Sequence, residues 1–211
     1  MKVALFDLDG VIIDTEPGYT AFWKQIGIDY FPENENFAQS LKGQTLKYIF
    51  EKFFFNDMDA QQKIRRRLRH YEEFMEFPFI PGVIDFINGL RERGVKMAIV
   101  TSSDREKMEH LYKSVPDFKN WFDGICTAEN VQHSKPAPDC YLAAAESFGV
   151  SPHECVVFED SMNGLLAAKA SGAYVVGVAT SLPQNEMDGL CDRVITDFVS
   201  NNHQLFDLFT D

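Results

Sequence analysis

The chain has 211 residues, 45% of them hydrophobic and 13% aromatic, with 19 phenylalanines. That length suits one full domain carrying a small extra lobe, and the apolar content excludes a disordered chain or a disulfide-dependent miniprotein. The net charge of −12 repels nucleic acid and acidic membrane surfaces at long range, so the expected partner is a small molecule and the expected state a monomer.

Residues 3–6 (Val-Ala-Leu-Phe) form the first short, continuous apolar run, and Asp7 ends it too early for a signal peptide or a membrane span. The cytoplasm is the expected compartment. Similar runs recur at 97–100, 124–126, 155–158 and 174–178, as in strands buried on both faces. Between them lie helical patterns: Val83, Phe86, Ile87 and Leu90 before Gly94; Tyr141, Leu142, Ala145 and Phe148 before Gly149; and 165–170 before Gly172. Alternating strands and helices predict an α/β fold on a parallel sheet with right-handed crossovers. The cysteines Cys126, Cys140, Cys155 and Cys191 show no C-x-x-C spacing and sit among apolar residues, as reduced thiols do.

Between Asp14 and Pro81 only helical spacing is found. Tyr19, Phe22, Trp23 and Ile26 share one face, Ile64, Leu68, Tyr71 and Met75 another, and Ile49 with 53–55 suggests a third helix. Residues 15–79 therefore read as an inserted helical lobe, a cap, on a core made of 1–14 and 80–211. Pro78 and Pro81-Gly82 mark the return to the core.

Ligands of open parallel sheets bind beyond the carboxyl ends of the strands. Those ends carry Asp7-Leu8-Asp9-Gly10, Thr101-Ser102-Ser103, Lys135-Pro136 after a short loop, and Glu159-Asp160-Ser161. Carboxylates 4 Å apart repel by roughly 4 kcal/mol per pair at an effective dielectric near 20, so the cluster calls for cations. All-oxygen donors without His or Cys favour a hard divalent ion, and magnesium fits best. Gly10 permits the turn that brings Asp7 and Asp9 to one ligand, one to attack and the other to move protons.

In these motifs, their order and their spacing, the chain resembles the haloacid dehalogenase superfamily, in its β-phosphoglucomutase-like branch of phosphatases and mutases. Asp7-Leu8-Asp9-Gly10-Val11, Thr101, Lys135-Pro136-Ala137-Pro138-Asp139 and Glu159-Asp160-Ser161 with Gly164 match its four motifs in turn. The resemblance implies a Rossmann-like core with a mobile cap inserted after the first strand. It also implies a magnesium-dependent phosphatase acting on a small phosphomonoester, a sugar phosphate, through an aspartyl phosphate. By that resemblance Asp7 is the nucleophile, and Asp9 protonates the leaving alcohol and then activates water. Magnesium is held by Asp7, the Asp9 carbonyl and Asp160, with Glu159 nearby. The phosphoryl oxygens are held by the Thr101 hydroxyl, Lys135 and the backbone N–H groups of Leu8, Asp9, Ser102 and Ser103. Lys42 falls in the loop that sets substrate specificity.

The alternative within the branch is a phosphohexomutase. The mutase has a histidine in its first cap helix and an arginine after the cap's Lys-Gly loop, where this chain has Tyr19 and Leu46. Arg105 also stands where the mutase has an asparagine. Without those contacts to a second phosphate, hydrolysis is the expected outcome. The run Arg65-Arg66-Arg67-Leu68-Arg69-His70 reads as a solvated helix surface from which Arg67 or a neighbour is a candidate to face the cleft. The histidines His70, His110, His133, His153 and His203 show no ligand spacing. A phosphorylated receiver module has no use for Asp9 or a cap, and a dehalogenase none for Asp9 and Asp160. A non-catalytic binding protein would not need every one of these positions.

Overall fold

A computed structural model describes residues 1–41, 44–200 and 202–210. Six parallel strands, β1 (Val3–Phe6), β2 (Lys96–Val100), β3 (Gly124–Cys126), β4 (Cys155–Glu159), β5 (Tyr174–Val178) and β6 (Arg193–Ile195), lie in the order β3-β2-β1-β4-β5-β6. The helices are α1 (Glu16–Tyr30), α2 (Phe37–Ser40), α3 (Leu46–Phe53), α4 (Met58–Phe74), α5 (Val83–Glu92), α6 (Arg105–Ser114), α7 (Asp139–Ser147), α8 (Met162–Ser171) and α9 (Asn202–Phe206). This is the parallel α/β sheet that the alternating pattern predicts, and the Rossmann-like core with helices inserted after the first strand that the family resemblance implies.

The continuous apolar runs are explained by burial on both faces. Ala4 and Phe6 join Met97, Ile99, Val156 and Phe158 in one hydrophobic cluster, while Val3 and Leu5 join Ala98, Val100 and Val157 in another. The period of two sends alternate side chains to opposite faces, and helices cover both. Phe6 stacks on Phe158 with ring centroids 4.7 Å apart, and each fully buried aromatic of this kind contributes about 1.5–3 kcal/mol.

The sheet order sets the position of everything functional. The chain leaves β1 and later pairs β2 on one side of it and β4 on the other, a topological switch at the central strand. Phe6 is level with Ile99 and with Phe158, so the next residues, Asp7, Val100 and Glu159, end their strands side by side.

A third hydrophobic cluster, Trp23, Ile26, Phe37, Leu41, Ile49, Phe50, Phe54, Ala60 and Ile64, contains no residue of the sheet. α1, α3 and α4 correspond to the three apolar faces seen in the sequence. Residues 12–14 and 78–80 run beside each other where the chain leaves and re-enters the core: Asp14 N–H donates to the Pro78 carbonyl (2.7 Å) and Ile80 N–H to that of Ile12 (2.9 Å). Among the described residues no helix is long and apolar enough to cross a membrane.

Besides the short α2 and α9, two elements exceed the sequence expectation. β6 has three residues, begins with Arg193 and pairs only with β5, so it does not stand out as an apolar run. In α6 the buried residues are Lys107, Met108 and Leu111 within a stretch of charges, which hides its amphipathic face.

Candidate active site

The strand ends bring Asp7, Lys135, Glu159 and Asp160 into one buried group. Asp7 follows β1 and fixes its backbone by donating its N–H to the Phe158 carbonyl at 3.0 Å. Lys135, from the loop before α7, donates to Asp7 Oδ1 (2.7 Å), Glu159 Oε1 (2.5 Å) and the Val100 carbonyl (3.2 Å). All three of its N–H donors thus have acceptors on adjacent strands.

Glu159 is fully buried and saturated with donors. Oε1 accepts from Lys135 and the Tyr141 hydroxyl (2.8 Å); Oε2 accepts from the N–H groups of Asp160 (2.9 Å) and Ser161 (3.1 Å) and from the Ser161 hydroxyl (3.2 Å). Asp160 accepts a short hydrogen bond from the Ser181 hydroxyl. Two glycines make room for this crowding. Gly10, at φ +76°, would place a Cβ 2.0 Å from Asp160 Oδ2, and a Cβ on Gly164 would lie 1.9 Å from the Glu159 carboxyl.

Asp9 points another way. Its carboxylate accepts from Lys107 Nζ at 2.5 Å to each oxygen, from the Ser103 hydroxyl at 2.9 Å, and from the Thr15 hydroxyl in a short contact. Lys107 is 3% exposed, and its ammonium lies 4.3 Å from the centre of the Tyr19 ring. The Tyr19 hydroxyl in turn donates to Glu72 Oε1 on α4 at 2.7 Å. Burial, with the charges of Asp9 and Glu72, holds the Tyr19 phenol well above its ordinary pKa, so it remains a donor.

Sequence reasoning missed Lys107. The available signal was Asp104, whose side chain accepts from the Lys107 N–H at 3.0 Å and caps α6. An Asp two residues past the Thr101-Ser102 pair announces a helix whose first turn faces the strand ends.

The remaining expected residues divide. Thr101 is buried at the end of β2, with its N–H on the Cys126 carbonyl (2.9 Å) and its hydroxyl accepting from Ser103 N–H (3.0 Å). Ser102 and Ser103 line the same cleft as Asp7, Asp9 and Asp160. The Leu8 side chain is wholly buried in the core, so only its backbone is placed for a ligand. Lys42 lies outside the described residues. Arg67 does not face the cleft: it pairs with Asp29 at 2.6 Å on the cap exterior. Arg65 lies over the Phe50 ring and Arg69 pairs with Glu106 at 3.0 Å, so the basic run is a paired surface.

The cleft that Asp7, Asp9 and Asp160 line opens to solvent, a concave site of the kind that takes a small molecule. Tyr19, Thr20, Trp23, Gln44 and Leu46 line its upper side, and among its described lining residues Lys107 is the one cation. Gln44 Oε1 is buried there without a hydrogen-bond partner among the described residues.

The donor set fits a hard cation. Asp7, Glu159 and Asp160 each offer an oxygen within 4.8 Å of the others. Three buried carboxylates face one ammonium, leaving two negative charges uncompensated. Burial pushes the Asp7 carboxyl up to about 7 although Lys135 pulls it back, and burial with the Glu159 charge pushes Asp160 well above the carboxylate range. A divalent ion supplies the missing charge.

Comparison with known proteins follows this geometry. Residues 1–172 match the family model of haloacid dehalogenase-like hydrolases, and the chain belongs to that family. It is 31% identical over 193 residues to a phosphorylated carbohydrates phosphatase of Thermotoga maritima, covering 86% of this chain and 87% of that one. The fructose-1-phosphate phosphatase YqaB of Escherichia coli is 31% identical over 179 residues, covering 82% and 94%. A crystal structure of a HAD hydrolase of family IA, variant 3, from Entamoeba histolytica superposes with a TM-score of 0.81 at 27% identity over the whole of both chains. Within the family, the chain is a phosphoric monoester hydrolase.

Glu72 yields a pH test. Burial raises its carboxyl from 4.5 to about 7, against the lowering effects of Tyr19 and Lys107. Below the unfolded pKa both states hold the proton and nothing is lost. As pH rises from about 4.5 to 7 the unfolded state ionises first, and folding is penalised progressively, by about 3 kcal/mol in total. Glu72→Gln therefore gains stability relative to wild type across that window and no further above it. Urea unfolding of both proteins from pH 4 to 8 measures the difference; a difference independent of pH contradicts the assignment.

Proposed function

We propose that this hydrolase is a magnesium-dependent phosphatase that cleaves a small sugar phosphate in two steps at Asp7. The observation that carries the reading is the pairing of two carboxylates two residues apart at the mouth of one cleft, Asp7 on Lys135 and Asp9 on Lys107. Two aspartates in different surroundings take different roles.

In the first step an Asp7 carboxylate oxygen attacks phosphorus, the bond from phosphorus to the alcohol oxygen breaks, and Asp9 gives that oxygen its proton. In the second, water attacks the aspartyl phosphate, Asp9 takes the water's proton, and inorganic phosphate leaves with Asp7 restored. Covalent catalysis divides one hard displacement into two. Lys135 keeps Asp7 aimed along β1 and stays charged, because Asp7 and Glu159 outweigh the effect of its burial. Thr101, with the backbone of Leu8, Asp9, Ser102 and Ser103, holds the phosphoryl oxygens. Asp7, Asp160 and the Asp9 carbonyl would hold magnesium, with Glu159 behind them; the ion would neutralise charge on the cluster and on the transferring group.

Residues 15–79 act as a cap over a core of 1–14 and 80–211, hinged near residues 14–16 and 78–82, next to the paired segments where the chain leaves and re-enters the core. Relatives named for phosphorylated carbohydrates and fructose 1-phosphate support a sugar phosphate. So does a cleft whose upper side offers Thr20, Gln44 and Tyr19 beside apolar Trp23 and Leu46. A phosphohexomutase must grip a second phosphate, whereas the one described cation of this cleft is engaged by Asp9 and Arg67 by Asp29. The net charge of −12 and free thiols fit a cytoplasmic enzyme that acts on metabolites rather than on nucleic acid or membranes.

Asp7→Asn is expected to remain folded and to lose phosphate release from fructose 1-phosphate by about 1,000-fold or more. Residual turnover within tenfold of wild type overturns the mechanism. With β-glucose 1-phosphate and catalytic β-glucose 1,6-bisphosphate, free phosphate is expected to appear faster than glucose 6-phosphate. The opposite order identifies a mutase.

A further inference from the structure

Lys107 belongs to none of the four motifs, yet it is among the most buried charges of the molecule. A lysine in such a place loses its hydration, and a methionine would fill the same space without that cost. Its retention needs a use for the charge. Two of its three N–H donors face the two oxygens of Asp9 at 2.5 Å each, and the ammonium lies over the Tyr19 ring.

The support around Lys107 comes from both parts of the chain. Its backbone is fixed at the start of α6 by the Asp104 cap, and α6 is joined to α4 by the Arg69–Glu106 pair. Its head meets α1 through Tyr19, which Glu72 of α4 anchors at 2.7 Å. Asp9 is therefore gripped by a core lysine that is itself covered by Tyr19 of the inserted helices, which Glu72 anchors.

We propose that Lys107 is a positioning residue for Asp9, orienting the carboxyl group, which regains its proton from water in the second step, for proton transfer to the leaving oxygen only while Tyr19, anchored by Glu72, is seated against it. The proposal rests on the two-step reading of the preceding section. It makes the first step depend on the inserted helices through a contact rather than through exclusion of water alone. Both Asp9 oxygens accept from Lys107, so in this role its loss must be felt in proportion to the need for an acid.

The test compares kcat/KM for two esters, which reports the first phosphoryl transfer. Fructose 1-phosphate expels a poor leaving group that needs a proton, whereas p-nitrophenyl phosphate expels a good one that does not. Lys107→Met is expected to lose about 100-fold on fructose 1-phosphate and less than about 5-fold on p-nitrophenyl phosphate. Lys107→Arg, which keeps the charge, should recover part of the selective loss. Tyr19→Leu, which removes the ring but leaves the core untouched, should show the same selectivity at smaller size and serves if Lys107→Met fails to fold. Equal losses on both esters would assign Lys107 to phosphate binding or to general stability, and no loss on either would make it a structural ion pair; both results overturn the proposal. If wild type hydrolyses neither ester in an Asp7-dependent way, the two-step reading fails and the proposal with it. An Asp7-dependent wild type with an unselective Lys107→Met defeats the positioning role alone.

Discussion

The arrangement depends on three carboxylates held out of water at the ends of neighbouring strands with one ammonium among them. No chain gathers Asp7, Glu159 and Asp160 in this way for stability, since each pair repels and each group loses hydration. The parallel sheet imposes the proximity: strands register by hydrogen bonds, and the residue after each strand inherits that register. Lys135 ties the ends together by donating to three of them at once, so it organises the backbone as well as balancing charge.

Glu159 illustrates how the cluster is graded. With five donors on two oxygens it behaves as a fixed internal anion that orients Lys135, Tyr141 and the turn at Asp160-Ser161. Asp7 and Asp160 carry fewer protein donors and face the cleft. The close approach of Gly10 to Asp160 and of Gly164 to Glu159 shows that the backbone itself is part of the packing around these charges. A methyl group at either position would collide with a carboxylate that has nowhere to move.

Much of this was legible because it obeys local rules. Buried parallel strands are apolar on both faces, so β1, β2, β4 and β5 appear as uninterrupted runs, and the polar residues after β1, β2 and β4 mark the candidate site. Gly94, Gly149 and Gly172 adopt positive φ where helices end, as their positions suggested. The illegible part is what arrives through tertiary contact. β6 is defined by its neighbour rather than by its own pattern. The α6 sequence reads as solvated because its lysine, ordinarily a surface residue, turns inward toward a carboxylate that is distant in sequence. The same limit applies to the arginines of α4: composition alone marks them as a patch, and only the partners Asp29, Glu106 and the Phe50 ring show it to be a braced surface.

The segment 7–15 joins chemistry to mechanics. It holds Asp7 on the sheet, turns at Gly10, places Asp9 between Ser103 and Lys107, and ends at Thr15, which touches Asp9 and immediately precedes α1. Because Gly10 donates its N–H to the Ile13 carbonyl and Ile13 bridges to Phe79, this loop is braced against the returning strand rather than free to swing. A displacement of α1 relative to the core must then be absorbed at residues 14–15, beside the Asp9 carboxylate. Asp7 lies on the other side of the brace, held by β4 and Lys135. Under the proposed two-step mechanism the fold thereby separates two requirements that conflict: the attacking carboxylate stays fixed, while the one that passes a proton in each direction sits where the inserted helices can alter its contacts.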